Sequence, residues 1–150
     1  MTAMKIINRS AFHDYNILER LEAGIKLTGP EVKSVKGSRV SLKGAYVKII
    51  GSEAYLINCQ IQPYQFARLV NFDASRTRKL LLNKKEIIAL KSKLDSANLT
   101  LVPVSLYLKH GLIKLEIGLG KGKKEFEKRE VLKKRAQIRE LDREYRGKVD

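Results

Sequence analysis

Leu99-Thr-Leu-Val-Pro-Val-Ser-Leu-Tyr-Leu-Lys-His-Gly-Leu-Ile-Lys-Leu-Glu-Ile-Gly-Leu119 is the stretch whose period decides the fold. Val102, Val104, Leu106 and Leu108 alternate with their neighbours, and Ile113, Leu115, Ile117 and Leu119 alternate on return. Period-two apolar spacing marks strands that each bury one face, and His110-Gly111 offers the tight turn between them. Pro103 has no amide proton for a ladder, so it is expected at an edge or a bulge.

Upstream, Ala45 to Ile61 reads as a second hairpin. Val47 and Ile49 alternate on the way out, Gly51-Ser52 gives a Gly-X turn, and Tyr55, Ile57, Cys59 and Ile61 alternate on the return. Two helices are signalled by capping boxes: Thr28 with Glu31, opening a short helix over Pro30–Lys36, and Asn83 with Glu86, opening one over Asn83–Ser96. Gly37 is expected to end the first helix in a left-handed conformation. Phe12 to Gly24 is ambiguous: Tyr15 and Ile17 suit a strand, Ile17, Leu18 and Leu21 a helical turn, and a strand is preferred. Tyr64 to Thr77 shows no period and reads as a long loop. The expected fold is mainly β with α: a small antiparallel barrel with two or three helices, since closure would remove exposed edges.

Downstream, Gly118-Leu-Gly-Lys-Gly-Lys-Lys124 reads as a hinge between a folded body, residues 1–120, and a basic tail, residues 121–150. In a helix, Val131, Ile138, Leu141 and Tyr145 would form one narrow apolar stripe among Lys and Arg. Such a segment is expected to be flexible when free and helical along RNA or inside a ribonucleoprotein channel.

The 150 residues carry 31 Lys+Arg against 16 Asp+Glu, a formal charge of +15 that calls for a polyanionic partner. No apolar run approaches the roughly 18 residues of a membrane span, and the Met1-Thr-Ala-Met-Lys-Ile-Ile start lacks a signal segment, so a cytoplasmic location without a membrane partner is expected. One cysteine, Cys59, excludes an internal disulfide, and with His13 and His110 it lacks zinc-site spacing; no metal or other cofactor is expected. No Walker loop, dinucleotide fingerprint or paired acid and base appears, so an enzyme is not expected. The cationic features are Arg76-Thr-Arg78-Lys79 and the cluster Lys121, Lys123 and Lys124. Tyr15, Tyr46, Tyr55 and Tyr64 are aromatics able to stack on bases, although at least two are expected in the core.

Five blocks in order resemble one family, the bacterial small protein B that partners transfer-messenger RNA. They are Asn8-Arg-x-Ala-x-His13-Asp-Tyr15, Glu22-Ala-Gly-Ile, Gly29-x-Glu31-Val-Lys-Ser34, Arg76-Thr-Arg-Lys-Leu-Leu-Leu82 and Gly120-Lys-Gly-Lys-Lys124. The resemblance implies an oligonucleotide-binding-like barrel, monomeric when free. It also implies binding to the tRNA-like domain of transfer-messenger RNA, delivery to stalled ribosomes in trans-translation, and a tail that probes the empty messenger channel beside the decoding-region rRNA. The resemblance implies RNA-facing positions at Asn8, His13 and Glu22 with basic support from Lys121, Lys123 and Lys124; Arg9, Tyr15, Lys33, Arg76, Arg78 and Lys79 complete the candidate RNA contacts. The family's tail motif falls on Phe126, Glu127, Lys128 and Arg129, and Lys133, Lys134 and Arg135 behind it are further candidates for ribosome contact. The chain departs from the family pattern with Phe126-Glu127, Ala74 and Gly44, where Tyr or His with Asp, a proline and an acid are usual. A constitutive ribosomal protein would share the charge and the tail, and an RNA-cleaving enzyme would need groups the sequence does not display.

Overall fold

A computed structural model describes residues 4–64 and 72–123. Its elements, in chain order, are β1 (Lys5–Ile7), α1 (Arg9–Asp14), β2 (Tyr15–Ile25), α2 (Gly29–Lys36), β3 (Val40–Ser41), β4 (Tyr46–Ile50), β5 (Glu53–Ile57), β6 (Gln60–Ile61), β7 (Arg78–Leu81), α3 (Lys84–Ser96), β8 (Thr100–Lys109) and β9 (Leu112–Gly122). Seven strands form one antiparallel sheet in the order β1-β8-β9-β2-β7-β5-β4, and β3 pairs with β6 apart from it.

Both hairpins form. His110 and Gly111 take φ of 50° and 78°, so the β8–β9 turn has two left-handed residues, and Gly51 takes 64° between β4 and β5. Ile113, Leu115, Ile117 and Leu119 enter the main core with Leu56, Ile61 and Leu80. Both capping boxes are present, with Thr28 Oγ1 accepting from the Glu31 amide and Asn83 Oδ1 from the Glu86 amide.

Several expectations are corrected. Phe12, His13 and Asp14 belong to α1, and the strand starts only at Tyr15. Strand β7 lies where a loop merged into an apolar run, because Leu80 pairs with both Ile25 and Ala54. The return strand β5 buries Ala54 and Leu56, not Tyr55 and Ile57; Asn58, at φ 64°, breaks the strand and resets the phase so that Cys59 and Ile61 point inward. Gly37 has φ −85°, and the left-handed residue after α2 is Ser38 at 60°. Strand β8 buries both faces from Leu101 to Leu106. The register shift at Pro103–Ser105 sends Val102 and Val104 into a second cluster under α1, with Ala11, while Leu101 and Leu106 stay in the main core.

The sheet does not close into a barrel. Strands β1 and β4 are its termini, and β4 leans across β8 without a ladder. The reason is local. On the edge of β8 that would meet β4, the Val104 carbonyl accepts from the Asn8 amide at 2.8 Å and the Pro103 carbonyl from Asn8 Nδ2 at 2.8 Å. Pro103 contributes no N–H. That edge is already spoken for, so a seam remains.

The glycines near the end of β9 are strand residues, not a hinge. Gly118 and Gly120 are buried, and β9 runs to Gly122, two residues past the expected body boundary. A Cβ on Gly120 would stand 2.9 Å from Tyr15 Cβ, and one on Gly118 2.9 Å from Val104 Cγ2. Gly120→Ala is therefore expected to destabilise the protein by about 1–3 kcal/mol through overpacking. Gly122→Ala, with nothing within 4 Å, should lie within about 0.5 kcal/mol of wild type in urea unfolding.

Candidate RNA-binding surface

The outer face of β2, β9 and β8 carries a polar ladder. Register places Glu22 directly opposite Glu116, two carboxylates whose repulsion must be offset. Each is served separately. Glu116 accepts from Arg20 Nη1 at 3.2 Å and Ser105 Oγ at 3.3 Å, and Arg20 also lies over the Phe12 ring, 5.2 Å from its centroid. Glu22 Oε2 accepts from the Tyr107 hydroxyl and from Lys109 Nζ at 3.3 Å. The Tyr107 hydrogen bond outweighs partial burial and, with Lys109 and Lys114, holds the Glu22 carboxyl below its ordinary range. Burial and the Glu22 carboxylate push the Tyr107 phenol upward. At neutral pH the proton stays on Tyr107 and Glu22 is an anion. Among the described residues its Oε1 has no partner, which leaves it to accept from an amino group.

At the far end of the same face, α1 meets the end of β9. Tyr15 sits opposite Gly122 and Asn16 opposite Lys121. Lys123 Nζ donates to the Phe12 carbonyl at 2.9 Å, and the Lys123 amide to the Asp14 carbonyl at 2.9 Å. His13 Nδ1 lies 2.9 Å from Asp14 Oδ1. Arg9 and His13 are thus carried on one short helix with Tyr15 and Lys123 at its end, while Lys121 lies on the alternate face of β9, in phase with Ile117 and Leu119. Glu22 is seven residues further along β2, about 23 Å away by strand rise.

The third group clusters around α2 and β7. Glu31, 2% exposed, has its carboxylate shared three ways. Oε1 accepts from the Thr28 amide at 2.9 Å and Arg76 Nη2 at 2.6 Å; Oε2 accepts from Arg78 Nε at 2.8 Å and Nη2 at 2.6 Å. Arg78 also donates to the carbonyls of Cys59 at 2.6 Å and Ala74 at 3.1 Å. Burial would raise the Glu31 carboxyl, but these donors outweigh it and hold the group below its ordinary 4.5. Burial pushes the neighbouring Cys59 thiol up to about 11, so it remains protonated.

Arg78 is the plain correction among the expected RNA-facing residues. It is 0% exposed, and its guanidinium is used inside the protein. Asn8 is likewise buried, with its amide donor committed to Pro103. Lys33 is exposed on α2, Arg76 is partly exposed, and Lys79 lies 3.5 Å from Glu53 Oε1. Lys124, Phe126, Glu127, Lys128, Arg129, Lys133, Lys134 and Arg135 fall outside the described residues. Sequence reasoning missed Arg20, Tyr107, Lys109 and Glu116. The turn at His110-Gly111 sets Tyr107 opposite Lys114, but joining either to Glu22 needs the β2–β9 register, which no local pattern encodes.

Two departures from the family pattern have structural answers. Gly44 takes φ +77°, a turn conformation glycine adopts without strain, and its carbonyl accepts from Asn58 Nδ2 at 3.2 Å. The Ala74 loop is held by backbone: its carbonyl accepts from the Ile61 amide at 3.0 Å as well as from Arg78. No group of His, Cys, Asp and Glu among the described residues could hold a metal ion, and no described helix is long and apolar enough to cross a membrane.

A small β-rich domain with an excess of fifteen positive charges and an ordered polar face belongs to the class of compact proteins built to meet a polyanion. The family model for SmpB protein matches residues 5–147, and the chain belongs to that family. It is 49% identical over 142 residues to the SsrA-binding protein of Sulfurihydrogenibium sp. (strain YO3AOP1), covering 95% of this chain and 93% of that one. The SsrA-binding protein of Streptococcus agalactiae serotype III (strain NEM316) is 48% identical over 140 residues, covering 93% and 90%. A solved chain from "tmRNA-SmpB: a journey to the center of the bacterial ribosome" superposes with a TM-score of 0.67 at 43% identity, covering 81% of this chain and 85% of that one.

Removing one partner of the buried pair leaves an uncompensated charge. Glu31→Gln is expected to cost about 3–5 kcal/mol in chemical denaturation. The pH dependence has a definite sign. Because the folded-state carboxyl is held below 4.5, its stabilisation is present above that value and is lost as pH falls through the folded value. Glu31→Gln should therefore flatten the acid limb of the stability profile below about pH 4.5 and leave its shape near neutrality unchanged.

Proposed function

We propose that this protein is an RNA-binding adaptor, not an enzyme, acting in the cytoplasm. It binds the tRNA-like domain of transfer-messenger RNA and carries it to stalled ribosomes for trans-translation. The observation that carries the reading is the near-full-length similarity to chains named SsrA-binding protein, joined here to a surface that suits an RNA fold.

The geometry suggests how the work is divided. Arg9, Lys121 and Lys123 supply phosphate contacts that hold the RNA and give affinity without selection. His13 and Tyr15 stand beside them for base and sugar contacts. Glu22 has the opposite role. A carboxylate repels the RNA backbone, so an ionised Glu22 kept in place by Tyr107 and Lys109 serves selection, accepting from a base amino group that a mismatched RNA does not offer. Asn8 and Arg78 act by positioning, Asn8 by fixing α1 to β8 and Arg78 by fixing β7 to α2. Arg76, Lys79 and Lys33 form a separate basic flank. Residues 124–150, with Phe126 to Arg129 at their head and Lys133, Lys134 and Arg135 behind, are assigned to the ribosome and its empty messenger channel.

The two jobs should separate experimentally. Glu22→Gln is expected to weaken transfer-messenger RNA binding roughly ten- to hundredfold, the value of a lost charge-assisted hydrogen bond, while unstructured RNA binds no more weakly than before. Deleting residues 124–150 should keep most RNA binding and abolish tagging of a nascent chain on a ribosome stalled without a stop codon. Equal losses in both assays from both changes would contradict the division.

A further inference from the structure

The seam left open between β4 and β8 is not a featureless gap. It holds a cleft of about 430 Å³ lined by Asn8, Ser10, Tyr15, Tyr46 and Thr100 among others, within the roughly 300–1,000 Å³ of ligand sites. Tyr46 is 46% exposed, a large aromatic that the core does not use. Tyr15 is wedged against Gly120, which fixes its ring from behind. The cleft is bounded by β4, a terminal strand whose outer backbone edge has no ladder among the described residues.

Two further depressions continue the cleft in opposite directions. One, of about 290 Å³, shares Asn8 and Ser10 with it and adds Arg9 and Lys43. The other, of about 440 Å³, shares Val47 and Thr100 and adds Lys48 and Lys91, with Asp95 on its wall. The order along the seam is cation, aromatic, cation, with the Asp14 carboxylate on the wall of the aromatic part.

We propose that this seam is a track for a single-stranded RNA segment. One unpaired base enters the central cleft against Tyr46, and the flanking phosphates lie on Arg9 and Lys43 at one exit and on Lys48 and Lys91 at the other. The alternation is what selects RNA as the occupant. A stacking platform between two basic patches fits a base between its phosphates, and stacking tolerates any base identity. Ser10, Thr100 and the unladdered backbone of β4 supply donors and acceptors to the edge of the inserted base. The track takes in the Tyr15 end of the face that carries Glu22, seven residues along β2 from that carboxylate. It deepens the RNA-adaptor reading by adding a contact to an unpaired segment, drawn either from transfer-messenger RNA or from ribosomal RNA.

The full-length protein tests this with two probes. In the first, a labelled hexauridylate is titrated into the protein while backbone amides are followed by NMR. Shifts should concentrate at Ser10, Tyr46, Lys48 and Thr100, and Tyr46→Ala should weaken binding roughly tenfold while Tyr46→Phe retains it. In the second, a photo-crosslinking residue at position 46 is irradiated with transfer-messenger RNA alone and then with stalled ribosomes. A crosslink to an unpaired nucleotide in either RNA supports the track and identifies its source. Shifts confined to the Lys121 end, wild-type oligonucleotide affinity in Tyr46→Ala, or crosslinks only to paired nucleotides would overturn it. Failure of the adaptor reading looks different: transfer-messenger RNA would show no preference over other RNAs even while the oligonucleotide still occupied the seam.

Discussion

One carboxylate ties together three separate parts of this fold. Glu31 caps α2 through the Thr28 amide, grips Arg78 from β7 and takes Arg76 from the preceding loop, with every donor within 2.9 Å. A buried ion pair is costly to desolvate, and a well-packed apolar pair would often be as stable. What the pair supplies here is connection. Arg78 reaches onward to the carbonyls of Cys59 and Ala74, so a single guanidinium sets the link between β5 and β6, the loop ahead of β7 and the helix α2 relative to one another. Strand β7 in turn joins the β4–β5 hairpin to the rest of the sheet. Where β4 stands, and hence the width of the seam, follows from that chain of contacts.

The opposite side of the seam is set by Asn8. By taking the carbonyls of Pro103 and Val104 it completes β1 on β8 and denies that edge to β4. The register shift beside Pro103 turns Val102 and Val104 outward, creating the apolar seat on which α1 rests. Helix α1 then carries Arg9 and His13 to the surface and receives Lys123 on its last carbonyls. Several positions expected to touch RNA thus divide into groups that reach solvent and groups that aim them. Arginine in a basic sequence block need not be a phosphate ligand; Arg78 is spent inside.

Much of the architecture was legible from short-range signals. The capping boxes at Thr28 and Asn83 located α2 and α3 to within a residue, and His110-Gly111 and Gly51-Ser52 located both hairpins. The failures came where distant register decides. Arg78-Lys-Leu-Leu81 is too short to show a period, and only pairing on both sides makes it a strand. Gly118 and Gly120 looked like a hinge because their reason, Tyr15 and Val104 pressed against the strand, lies elsewhere in the chain. The Glu22–Tyr107–Lys109 contact joins residues 85 and 87 positions apart and has no local trace. For the candidate site, the family blocks name residues without separating exposed Arg9 from buried Arg78.

The central claim is that the body recognises a particular RNA fold and is not merely attracted to negative charge. Competition binding at one fixed, near-physiological salt tests it most directly, since the charge contribution changes steeply with ionic strength. Labelled transfer-messenger RNA is bound to the protein and challenged with bulk tRNA and with unstructured RNA. The account predicts that neither competitor displaces it even at large excess. Equal displacement by all three would mean that the +15 charge alone accounts for binding, and would contradict it.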